Sequence, residues 1–118
     1  MTALTLPLKK KWFDLIKAGT KKEEYREGSA YWRIRLQEWR TRPDGMKERV
    51  GFKTFDTLVL TLGYPKAGDS ERRLVFKNPK IRIGEGRPEW GAEPEKMYFV
   101  ITWEEALVSE DQNFEARR

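Results

Sequence analysis

The residues best able to do chemistry in this chain lie close together near its start. Gly19-Thr20-Lys21-Lys22-Glu23-Glu24-Tyr25-Arg26 places a glycine turn before a lysine, a carboxylate and a guanidinium. On a strand, residues two apart share a face, so Glu24 and Arg26 become neighbours. A carboxylate beside a guanidinium orients and holds both groups, and the planar fork of arginine suits phosphate or carboxylate. Lys21 has the other parity, but it sits at the glycine turn, where strand alternation need not apply, so it can swing over the same cavity. Crowding by Lys22 and Arg26 disfavours its ammonium form, which is how a lysine becomes a base. Lys21 and Glu24 are therefore the candidate catalytic pair, and Lys21 and Arg26 the first candidate phosphate contacts.

What the composition removes narrows the chemistry. The 118 residues contain no cysteine and no histidine. A thiol nucleophile, a disulfide, a Ser-His-Asp triad and an ordinary zinc site are all excluded. No metal site and no cofactor are expected: Gly84-Glu85-Gly86 lacks the third glycine and following helix of a dinucleotide site. The acidic pairs Glu104-Glu105 and Glu110-Asp111 sit in a polar tail. No apolar run approaches the roughly 18–20 residues of a membrane span, and the first seven residues do not read as a signal peptide. A reduced, cytoplasmic setting without a membrane partner is the expectation.

Charge supplies the positive clue. Residues 1–50 carry thirteen Lys and Arg against seven Asp and Glu, and residues 51–90 carry eight against five. Residues 91–118 reverse the balance, with three against seven. A basic body of this kind fits a polyanionic partner, because phosphate neutralisation is the main sequence-independent source of nucleic-acid affinity. Arg33, Arg40 and Arg87 extend the list of candidate RNA contacts. Tyr31, Trp32, Trp39 and Trp90 interleave with them as aromatics that could stack bases.

The elements that must carry these groups follow from periodicity. Ala3–Leu6 alternates as a strand. Lys9–Ala18 reads as a helix, with Trp12, Leu15 and Ile16 on one stripe and Gly19 at its left-handed end. Ser29 caps a second helix predicted over Ala30–Arg40, in which Trp32, Leu36 and Trp39 recur at helical spacing and are assigned to the core. Residues 41–52 then read as a long surface connection, and 84–94 as a flexible loop able to cover a cleft. Thr57–Leu62, Arg72–Phe76, Ile81–Ile83 and Met97–Trp103 alternate as strands. The prediction is a single α+β domain over 1–118, with 104–118 a frayed polar tail. Its sheet is small, mostly antiparallel and curled into a barrel, with two helices from the N-terminal half packed on it.

The charged octapeptide, Gly-x-Lys-x-x-Glu-x-Arg, resembles the signature of the ASCH domain family, which is related to the PUA-like RNA-binding barrels. The strand and amphipathic helix before it agree. Phe55–Leu60 resembles the family's strand after the insertion, and Tyr98–Ile101 its closing strand. Residues 33–50 and 84–94 are not anchored by the motif. The resemblance implies an RNA-binding module with its cleft beside the motif, and an RNA or nucleoside partner. It also implies two hydrolase alternatives: a ribonuclease, or an amidohydrolase acting on N4-acetylcytidine-type acylated nucleosides. In the amidohydrolase branch a threonine belongs where this chain has Glu24, and Lys21 matches the motif lysine. A non-catalytic regulatory or interaction domain is the remaining alternative.

Overall fold

The computed structural model describes residues 2–104; the polar tail expected beyond Glu104 lies outside them. The chain is α+β, and its described strands fall into three separate sheets rather than a closed barrel. Among the described residues, three strand pairs run antiparallel and one runs parallel. By compactness the chain divides into two units interleaved along the sequence. The first comprises Met1–Lys22, Phe55–Lys80 and Thr102–Arg118, the second Glu23–Thr54 and Ile81–Ile101.

The first unit is a three-stranded sheet with one helix. β1 (Ala3–Leu8) pairs in parallel with β2 (Thr57–Leu62), which pairs antiparallel with β3 (Arg73–Lys77). Its period-2 leucines fall into register as two transverse rows, Leu4–Leu58–Phe76 and Leu6–Leu60–Leu74. All six side chains are buried, which pins the register, since a one-residue slip would turn both rows outward. Pro7 is tolerated because β1 is the outer strand of this sheet. Helix α1 (Lys10–Lys17) lies against β2 and buries Phe13 and Ile16, three residues apart on one stripe. It ends in a Schellman motif. Gly19 adopts φ 82°, its N–H donates to Ile16 O at 3.0 Å, and Thr20 N–H donates to Leu15 O at 3.0 Å.

The second unit holds β4 (Glu24–Glu27), β5 (Gln37–Thr41), β6 (Lys47–Phe52), β7 (Lys80–Glu85) apart from its first residue and β8 (Met97–Thr102) apart from its last. Strand β8 is central, between β4 and β7, and Tyr98 to Ile101 are buried on both of its faces. Helix α2 (Ala30–Leu36) begins where Ser29 Oγ accepts the Trp32 N–H at 3.5 Å.

The predicted second helix is too long. It stops at Leu36, and Gln37–Thr41 turns extended to pair with Lys47–Phe52. Residues 41–52 are thus half of a hairpin rather than a surface connection. Its turn is closed by Arg42 N–H to Met46 O at 2.7 Å and by Asp44 Oδ1 accepting the Met46 N–H at 3.0 Å, with Gly45 at φ 89°. Pro43, Asp44 and Gly45 make this turn, and cross-strand hydrogen bonds outweigh helix propensity in the residues before it. Trp39, assigned to the core at helical spacing, lies instead on β5 and is 43% exposed, whereas Leu36 is fully buried. Leu36→Ala should therefore cost about 2–5 kcal/mol in chemical denaturation, and Trp39→Ala distinctly less.

Candidate nucleic-acid interface

The motif changes conformation along its length: it begins as the cap of α1 and ends as β4. Lys21 belongs to the first unit. Glu24, Arg26, Arg33, Arg40 and Arg87 belong to the second.

In the first unit, the Schellman turn redirects the chain so that Lys21 packs inward at 2% exposure. Its Nζ lies 5.0 Å from the centroid of the Trp12 ring, and Lys11 Nζ sits 4.7 Å from the same ring. An ammonium over an indole face gains electrostatic stabilisation that survives desolvation. Lys21 lines a cavity of about 110 Å3 together with Lys17 and Lys22, across from Leu74, Phe76 and Trp103. Phe76 and Trp103 stack at 5.2 Å with 29° between their planes, forming an aromatic wall. The surroundings are basic: the described residues of this unit carry eleven Lys and Arg against five Asp and Glu, whereas the second unit carries eleven against ten. Lys9, Lys10, Lys11, Lys17 and Lys22 are all exposed, with Lys10 paired to Asp14 at 2.6 Å.

In the second unit, strand parity brings Glu24 and Arg26 together as expected. Arg26 Nη2 lies 2.9 Å from Glu24 Oε2, with both side chains largely buried. The guanidinium also lies 5.1 Å from the Trp32 ring centroid. These contacts hold Arg26 in place and engage the Glu24 carboxylate. The other arginines lie on different elements, each with local surroundings of its own. Arg33 is exposed on α2. Arg40 pairs with Glu48 at 2.8 Å across the hairpin. Arg87 pairs with Glu89 at 3.5 Å and lies 4.8 Å from the Trp90 ring centroid.

The motif residue to which sequence reasoning assigns no role is Tyr25. Its hydroxyl donates to Glu23 Oε1 at 2.8 Å and accepts the Arg87 N–H at 3.0 Å. Its ring packs 5.7 Å from Tyr98, whose own hydroxyl accepts the Glu93 N–H at 2.9 Å. Gly86 fits where no side chain could: a Cβ there would come within 2.6 Å of the Tyr25 ring and 2.7 Å of Ala92 Cβ. Two phenols thus tie down the segment expected to be a flexible loop, and Pro88–Trp90 forms a helical turn within it. The signal was a tyrosine inside the motif, but its partner lies 62 residues away.

Among the described residues, no three acidic side chains cluster as a metal site would require, and no helix is long and apolar enough to cross a membrane. Comparisons of the chain with protein-family models, curated proteins and solved structures each return no match.

Tyr25 gives this region a pH signature. Burial, above all, pushes its phenol well above the usual tyrosine range; the Arg87 N–H opposes that shift, and the hydrogen bond to Glu23 adds to it. In the unfolded chain the phenol ionises near pH 10, while the native one keeps its proton. The contribution is therefore complete below about pH 10 and is lost as pH rises further. Melting followed between about pH 9 and 11 should fall more steeply for the wild type than for Tyr25→Phe. At neutral pH the variant should be the less stable, by about 1–3 kcal/mol, because Glu23 and the Arg87 amide lose their partner.

Proposed function

We propose that the chain is an RNA-binding module of the ASCH and PUA-like kind, and that the Lys21 pocket of the first unit receives a phosphate of the strand. The observation carrying this reading is a lysine buried to 2% in the wall of a basic, aromatic-backed pocket. A lysine kept there beside Lys17 and Lys22 is suited to meeting an anion. Trp103, half-buried and backed by the buried Phe76, offers an apolar surface for the adjoining sugar or base. The motif's resemblance to ASCH domains points the same way.

Recognition is favoured over turnover. The amidohydrolase alternative needs a threonine where this chain has Glu24, and that carboxylate is held by Arg26 at 2.9 Å.

Binding of short single-stranded RNA, followed by fluorescence anisotropy across a salt series, tests the proposal. Three lysine contacts correspond to a log–log salt slope of about −2. Lys22→Glu, at an exposed position, should weaken binding and flatten the slope, while Lys66→Glu on a distant stretch of sequence should do so less. Lys21→Met should lose binding if it keeps its fold by circular dichroism. Absence of RNA binding at low salt, or equal effects of Lys22→Glu and Lys66→Glu, would overturn it. N4-acetylcytidine should be left intact by the wild type.

A further inference from the structure

The hairpin of β5 and β6 has two faces, and its cations are compensated on only one of them. Directly opposed residues share a face of an antiparallel pair. Arg40 opposes Glu48, and the two form an ion pair at 2.8 Å, so that face neutralises itself. On the other face Trp39 opposes Arg49, and Thr41 opposes Lys47. The Lys47 Nζ donates to Thr41 Oγ1 at 2.7 Å, which agrees with this sidedness. All four of these residues are exposed. Among the described residues, neither Lys47 nor Arg49 forms an ion pair.

The surrounding segment shares the bias. Residues 30–53 carry seven Lys and Arg against three Asp and Glu, whereas the rest of the second unit carries four against seven. Trp39 and Lys47 also line an open cavity of about 520 Å3, together with Ile34, Gln37, Glu38 and Lys53. That volume falls within the roughly 300–1,000 Å3 of small-molecule sites and has room for one nucleobase. Trp39 is 43% exposed, yet its indole N–H donates to Arg33 O at 3.3 Å, which holds the ring while leaving part of it accessible. A pre-oriented aromatic loses little freedom when a base stacks on it. Lys47 and Arg49 are two residues apart on one strand, so their backbone positions are separated by about 6.8 Å. That interval is close to the spacing of successive phosphates in an extended single strand.

We infer that this face is a second contact for single-stranded RNA: one base stacks on Trp39, and the phosphates flanking it go to Lys47 and Arg49. Arg40, the hairpin arginine that the sequence singles out, lies on the self-neutralised face and takes no part. The held indole favours a nucleic acid over an acidic peptide, whose carboxylates need only the cations. The inference shares its partner with the proposed function but none of its residues, and it uses the second unit alone.

Fluorescence anisotropy of the full chain with an adenylate nonamer, and with a nonamer of abasic phosphodiester units, tests it. Both are measured in the wild type and in the Lys22→Glu chain, so that this face is read apart from the Lys21 pocket. In the Lys22→Glu chain, Trp39→Ala should weaken the adenylate strand about tenfold. Trp39→Phe should restore most of that loss, and neither variant should alter binding of the abasic strand. Lys47→Gln and Arg49→Gln should each flatten the log–log salt slope by about 0.7, whereas Arg40→Gln should leave it unchanged. Adenylate binding untouched by Trp39→Ala, or weakened equally for the abasic strand, would overturn the inference, and so would decaglutamate competing as well as the RNA. The Lys21 pocket would survive those results; it fails by itself if Lys22→Glu has no effect while the hairpin variants do.

Discussion

The constraint on which the candidate site depends is the burial of an ammonium. Lys21 is a lysine at 2% exposure, and a cation moved out of water must be compensated where it lies. Its compensation begins with the Trp12 ring 5.0 Å away. That arrangement depends on α1 ending where it does, since the Schellman turn at Gly19 carries the next residues back toward the helix. The turn in turn depends on Phe13 and Ile16, both buried, anchoring α1 against β2. Sequence periodicity, helix termination and the placement of one charge thus form a continuous chain of cause.

The second unit handles its buried charge differently. Arg26 meets Glu24 at 2.9 Å and lies over Trp32, a closed arrangement in which opposite charges and an aromatic face compensate one another. Breaking such a pair from one side costs more than the pair contributes, so its first role is to hold β4 in place. Next to it, Tyr25 joins β4 to the segment beginning at Gly86. The motif therefore serves two ends. Its lysine lines a basic cavity in the first unit, and its glutamate, tyrosine and arginine organise a sheet in the second.

Much of this was legible in the sequence, and what was not has identifiable reasons. The α1 boundaries, the glycine at its end, the Ser29 cap and the Glu24–Arg26 pairing all follow from local rules of period and capping. The hairpin from Gln37 to Phe52 did not emerge, because Trp32, Leu36 and Trp39 recur at helical spacing and local propensity does not register cross-strand pairing. Pro43-Asp44-Gly45 was read as a loop when it is the turn joining two strands. The contrast in charge between the units was hidden as well, because each is assembled from separated segments. The Tyr25–Arg87 contact and the cavity beside Trp39 arise only from tertiary placement, which no spacing within the motif encodes.

The most direct measurement is a chemical-shift titration of the isotopically labelled chain with short single-stranded RNA at low salt. If the Lys21 pocket is the phosphate site, the largest changes fall on the amides of Lys17, Gly19, Lys21 and Lys22 and on the Trp103 indole N–H. Changes confined to other residues, with those five signals unmoved at saturation, would contradict the account.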